Sequence, residues 1–335
     1  MAIARGFSNS IRAFFRTESS GGVFLVFAAL IALISANSPW SAGYLNFWHE
    51  YEVFINDGLI AIFFFLVGLE IRQEARSGQF RDPKSAALPI VAAIGGMVTP
   101  ALIFVIFNSG SATSNGWAIP MATDIALALG VLALLGKRID TSLKVFLLTL
   151  AIADDLGSIL VLGIFYSDGV SLVKIASSIG AVILAWIIPL RGGFNTEKLI
   201  KIIHPWSAFL VIPLFALVNI GIQINLPNID QMITTPVVIG IVIGRVIGKV
   251  VGITFFAWAA VKLGFAKLPA ALSFKEIAGA GALAGMGLTV SLFVAKVALT
   301  DQSAIAEVKF ALLLSALISA VLGLTLLRIF STKQD

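Results

Sequence analysis

Leu143 to Tyr166 reads LKVFLLTLAIADDLGSILVLGIFY, an apolar run of membrane-spanning length with Asp154 and Asp155 side by side at its middle. A hydrocarbon core of roughly 30 Å takes about 20 helical residues, each rising about 1.5 Å, so the run is a transmembrane helix candidate. Span formation does not explain the acids. Each charge at bilayer depth costs roughly 2.5–3.5 kcal/mol on insertion scales, which marks this run as one that carries chemistry.

Nine further apolar runs lie on either side of it: Gly21 to Ala36, Gly58 to Leu69, Ala86 to Phe107, Trp117 to Leu135, Leu172 to Leu190, Trp206 to Ile220, Pro236 to Val261, Ile277 to Leu299 and Phe310 to Phe330. With 59% hydrophobic and 12% charged residues over 335 positions, and a mean hydropathy of +1.00, lipid is the solvent for most of the chain. The expected fold is all-α: one integral membrane domain over 1–335 with about ten transmembrane helices. The absence of cysteine excludes disulfides and thiolate metal sites, and two isolated histidines are too few for a zinc or haem centre. The net charge of +5 is spread between apolar segments, as topology signals are, so nucleic acid is not an expected partner. The first run follows Arg5, Arg12 and Arg16 as a signal peptide would, but nine later spans favour an uncleaved first helix.

Lys and Arg gather in alternate loops: Arg72, Arg76, Arg81 and Lys84; Lys137, Arg138 and Lys144; Arg191, Lys198 and Lys201; Lys262, Lys267 and Lys275; Arg328 and Lys333. The opposite loops hold Lys174, Lys296 and Lys309. The positive-inside rule then puts both termini in the cytoplasm, which needs an even number of spans. In that orientation the triplets 86–166 and 236–330 have opposite topology and form two inverted repeats. The middle run of each invites interruption, at Pro120 with Thr123-Asp124 and at Gly279, Gly281, Gly285 and Gly287 before Thr289 and Ser291. Close helix packing explains the glycines equally well.

Asp124, Asp154, Asp155, Arg245 and Lys249 all fall near the centres of their runs and would together cost on the order of 12–18 kcal/mol before pairing. A structural ion-pair network is the plain explanation, but two bases cannot neutralise three acids. Adjacent helical residues point about 100° apart, so one of Asp154 and Asp155 can meet a lysine while the other lines a cavity. Gly240, Gly244, Gly248 and Gly252 form a smooth stripe, and Arg245 and Lys249 lie one position beyond it, projecting from nearly the same face. A hard cation such as sodium wants several oxygens, which Asp155, Asp154, the Thr123 hydroxyl and freed carbonyls can supply, and protons compete for the same atoms. Two further readings belong to other classes: an intramembrane aspartyl protease, against which stand Lys249 and the lack of a Gly-x-Gly-Asp pattern, and a transport-inactive or ion-sensing protein.

In this order the motifs resemble the NhaA family of bacterial sodium/proton antiporters. The matching stretches are Asn56-Asp57-Gly58-Leu59, Val67-Gly68-Leu69-Glu70, Ala122-Thr123-Asp124-Ile125-Ala126, Ala153-Asp154-Asp155-Leu156-Gly157, His204-Pro205-Trp206, Ile247-Gly248-Lys249 and Gly285-Met286-Gly287-Leu288-Thr289-Val290-Ser291. That family is itself a standard example of inverted repeats with broken helices, so the repeat layout and the resemblance are not independent. The resemblance implies a multi-pass protein of the bacterial inner membrane that exchanges cytoplasmic sodium or lithium for external protons, electrogenically and by alternating access, with no resident cofactor. It implies that Asp155 is the principal carrier, that Asp154 can pair with Lys249, and that Thr123 and Asp124 sit at a helix break. Glu70 and Glu74 match acidic residues of the cytoplasmic entrance implicated in pH response, although ordinary interfacial charges would look the same.

Departures from the family are visible as well. About two helices are missing after Tyr166, and the family's pH-linked histidine falls in that gap, where only small residues such as Ser178 are found. Ile200 stands for a glutamate, Gln73 for an arginine, and Arg245 is an additional cation. Asn37 to Asn56 is short for the β-hairpin associated with dimerisation, which leaves the oligomeric state open.

Overall fold

A computed structural model of the chain describes residues 19–77, 83–166, 172–189, 195–223 and 229–331. Among the described residues there is no strand. Arg5, Arg12, Arg16, Arg81, Arg191 and Lys333 lie outside them, as does Leu190 at the expected end of the sixth run. The helices are α1 Ser19–Ala36, α2 Ser41–Val53, α3 Ile60–Ser77, α4 Pro83–Asn108, α5 Ile125–Ala133, α6 Thr141–Phe165, α7 Leu172–Ile187, α8 Thr196–Trp206, α9 Ile212–Ile220, α10 Ile229–Ile233, α11 Pro236–Ile243, α12 Lys249–Lys262, α13 Phe274–Ala284, α14 Thr289–Ala298 and α15 Gln302–Phe330.

Several helices join end to end through π-helical turns, at Phe54–Leu59, Ser207–Val211 and Gly244–Gly248, and so form continuous spans over Ser41–Arg76, Thr196–Ile220 and Pro236–Lys262. With Ala86–Asn108, Ser142–Phe165 and Gln302–Phe330 there are six helices long and apolar enough to cross a membrane among the described residues, and α13 with α14 makes a seventh bent by 54°. The shorter apolar helix α1 and the 16-residue α7 come in addition. The π turns fall at or beside Asn56-Asp57-Gly58, His204-Pro205 and Gly248-Lys249. At the second, Pro205, which has no backbone donor, sits inside the helix two residues before the wider turn begins.

Two expected features take a different form. The connection from Asn37 to Asn56 contains the helix α2, none of whose residues is fully buried; Glu52 on it pairs with Lys296 of α14. Arg72, expected among loop cations, is buried, and its Nη1 donates to the carbonyls of Ala185 (2.7 Å) and Ile188 (3.1 Å). It thereby satisfies the free C-terminal carbonyls of α7, a role its cationic end suits.

The glycine stripe seats the Pro236–Lys262 span on α4. A methyl group at Gly240 would meet Phe104 and Asn108, at Gly244 or Gly248 it would meet Pro100, and at Gly252 it would run into the carbonyl oxygen of Gly95. With that face pressed on α4, the neighbouring positions Arg245 and Lys249 turn inward and are both fully buried.

Candidate functional site

The site is built where two helix breaks cross. The run Trp117 to Leu135 is helical only from α5 onward: Ser114–Ala118 forms a single 3-10 turn, and 119–124 is irregular around Pro120. The second break, 285–288, separates α13 from α14. The backbone amide of Asp124 donates to the carbonyl of Met286 at 2.8 Å, so the irregular segments satisfy each other where water and lipid do not.

Charge is distributed over the crossing by the polarity of the helix ends. Asp124 precedes α5 and accepts from the hydroxyl of Thr289, the first residue of α14, at 3.0 Å. A carboxylate there faces two positive N-terminal ends. Arg245 does the converse: Nε donates to the carbonyl of Gly285 (2.9 Å), Nη2 to that of Ala122 (3.0 Å) and Nη1 to the hydroxyl of Ser291 (2.8 Å). Its fork therefore meets carbonyls from both breaks, and among the described residues no carboxylate lies in ion-pair contact with it. Gly287 leaves the guanidinium its space, since a methyl group there would strike Nη2.

Lys249, four positions on, pairs with Asp154 Oδ2 and donates to the Thr123 hydroxyl at 2.8 Å. Thr123 in turn contacts both Asp154 Oδ2 and the Ala284 carbonyl (2.9 Å); with one hydroxyl proton it can donate to only one of them at a time. Asp155 is buried beside this network with its Oδ1 unpartnered, and Asp154 Oδ1 is unpartnered too. Glu70 of α3 lies within Coulombic range of Asp155, and Glu74 is one turn further along α3. Among the described residues no three His, Cys, Asp or Glu side chains converge to hold a metal, so a cation bound here would draw on hydroxyl and carbonyl oxygens besides carboxylates.

The structure thus brings together Asp124, Thr123, Asp154, Asp155, Arg245 and Lys249, with Glu70 in Coulombic range of Asp155 and Glu74 one turn further along α3. Sequence reasoning missed the carbonyls of Ala122, Ala284 and Gly285 as individual partners, since a carbonyl carries no sequence label. It also passed over Ser158, a hydroxyl one turn beyond Asp154 in the same apolar run.

Crossed helix breaks in a multi-pass helical protein, with charged side chains buried at the crossing, define a class, the ion-coupled membrane transporters. Comparison with known proteins narrows it: the model of the family Na+/H+ antiporter 1 matches residues 12–192 and 175–327, and the chain belongs to that family. Among curated relatives, the Na(+)/H(+) antiporter NhaA of Proteus mirabilis is 40% identical over 377 residues, covering 95% of this chain and 96% of its own length. The proteins of the same name from Yersinia enterocolitica (39% over 382 residues, 96% and 97%) and Vibrio cholerae (38% over 378, 96% and 98%) are similar to the same extent. An alignment of 377 positions on a chain of 335 means that the Proteus protein carries at least roughly forty residues this chain lacks, about two spans' worth. The two family matches overlap at 175–192, over most of α7, as they would on either side of a deletion.

Proposed function

We propose that this chain exchanges cytoplasmic sodium or lithium for external protons across a bacterial inner membrane, by alternating access and electrogenically. In this reading ten spans place both termini in the cytoplasm, and 86–166 and 236–330 are inverted repeats within the single domain. Asp155 is the principal carrier, and the observation that carries the proposal is that Lys249 is committed to Asp154 while Asp155, buried beside it, is not. A sodium ion reaching Asp155 from the side of Glu70 and Glu74 draws on Asp154 and Thr123 as well, and competes with Lys249 for Asp154. A proton occupies the same carboxylate oxygens in the other half of the cycle, so the two cargoes exclude each other and exchange is coupled. More protons entering than sodium ions leaving makes the membrane potential a driving force, worth about 2.3 kcal/mol per charge per 100 mV.

The test is purified protein in proteoliposomes under an imposed sodium gradient, read with an internal pH dye. Sodium and lithium should each drive a pH change and potassium should do so poorly, while Asp155→Asn should drive none. Exchange by Asp155→Asn near the unmodified rate would remove Asp155 as the carrier.

A further inference from the structure

Ser158 lies on α6 one turn beyond the two aspartates, and nothing described so far uses it. At about 100° per residue it sits about 40° from Asp154 and about 60° from Asp155, between them in projection, and about 4.5–6 Å further along the axis. Side chains on a helix lean toward its N-terminus, so the Ser158 hydroxyl is directed along the axis toward the turn that carries the two aspartates.

Its hydrogen bonding is unusual for its place. A serine inside an apolar helix ordinarily donates to a carbonyl three or four residues back, as Ser315 does to Leu312 at 3.0 Å. Ser158 is only 4% exposed, yet its Oγ has no partner. Asp154 Oδ1 and Asp155 Oδ1 share that condition, so three unpartnered buried oxygens fall within one turn of one helix. The hydroxyls of Ser207, Thr254 and Ser319 are unpartnered too, but none of them has a second such oxygen within a turn on its own helix. Buried polar atoms without partners are uncommon, and here one hydroxyl and the free oxygens of two neighbouring carboxylates give a hard cation three candidate oxygen ligands.

We propose that the Ser158 hydroxyl is a ligand of the transported cation, which it holds together with the free oxygens of Asp154 and Asp155. This rests on the reading of Asp155 as the carrier and adds a neutral oxygen to it. The consequence is selective: a hydroxyl supplies a lone pair to sodium or lithium but takes no proton at working pH, so Ser158 favours metal ion over proton in their competition.

Full-length protein would be assayed with sodium chloride as the probe, by exchange in proteoliposomes and by the thermal shift sodium produces in detergent. Ser158→Ala should raise the half-saturating sodium concentration about five- to tenfold, the scale of one lost neutral polar contact. Its melting temperature without sodium should be unchanged or higher, because an unpartnered hydroxyl is removed and nothing is left unsatisfied. The stabilisation by a fixed sodium concentration should shrink with the affinity, and Ser158→Thr should keep it. Should Ser158→Ala not accumulate, Ser158→Cys takes its place, since a thiol is a poor ligand for a hard cation. Wild-type sodium dependence in Ser158→Ala or Ser158→Cys, with Asp155→Asn inactive, overturns this proposal alone. Sodium stabilisation that survives Asp155→Asn overturns the carrier assignment beneath it.

Discussion

Arg245→Leu removes the group that meets both helix breaks at once. Three contacts go with it, to the carbonyls of Gly285 and Ala122 and to the Ser291 hydroxyl, at a site fully closed to solvent. Each buried polar atom left unsatisfied costs about 1–3 kcal/mol, and three of them would cost on the order of 3–9 kcal/mol. Removing a buried charge returns part of that, because the guanidinium no longer has to be desolvated, so a net loss of about 3–5 kcal/mol is expected. Arg245→Lys keeps the charge but replaces a planar fork by a compact ammonium that cannot reach both carbonyls in the same geometry, and should recover less than half of the loss. The assay is thermal unfolding of purified protein in detergent at several sodium concentrations, with exchange measured in parallel. Asp154 and Asp124 lie within Coulombic range of Arg245, so apparent sodium affinity should change along with stability. A leucine variant that melts within about a degree of the unmodified protein, with the same sodium dependence, would refute the idea that the arginine joins the breaks.

Asp154→Asn strands Lys249 without its counter-charge and should destabilise by about 3–5 kcal/mol; adding Lys249→Met should restore melting but not exchange, and a double variant as unstable as the single would show that the pair is not the cause. Gly252→Ala should lower the melting temperature clearly, because its methyl group meets the Gly95 carbonyl, whereas Gly43→Ala, in α2 with nothing within 4 Å, should be neutral or gain up to about 1 kcal/mol from helix propensity. The pH profile of exchange should move as sodium concentration is raised, as competition for the same oxygens requires. A steep transition that stays fixed at all sodium concentrations would point instead to a separate pH-sensing group.

Much of this site was legible because burial of charge is costly and therefore leaves a trace in apolar sequence. Asp124, Asp154, Asp155, Arg245 and Lys249 stand out against their runs, and the glycine stripe fixed which way the two cations had to face. Pro120 and the Gly285–Gly287 segment announced the interruptions, though not that the half before α5 would shrink to one 3-10 turn. What stayed hidden depends on partners distant in sequence. Arg72 reads as a loop cation until the open end of α7 is seen to need a donor, and Ser41–Val53 reads as a connection because its polar and aromatic residues lack an apolar stripe. The π turns were hidden as well, since a widened turn has no composition of its own, although three of the quoted motifs fall at or beside them.

The seating of the Pro236–Lys262 span on α4 limits how the molecule can change shape. At this seam Gly240 lies against the side chains of Phe104 and Asn108, while Gly244, Gly248 and Gly252 lie close to the main chain of Pro100 and Gly95. Turning the span by one residue would swing a branched side chain into a gap sized for hydrogen, and sliding it would set Gly252 against something bulkier than Gly95. Either movement would force a clash at this seam, so in the alternating-access cycle proposed above Arg245 and Lys249 would keep their register on α4, and the change of access would have to come from seams elsewhere in the molecule.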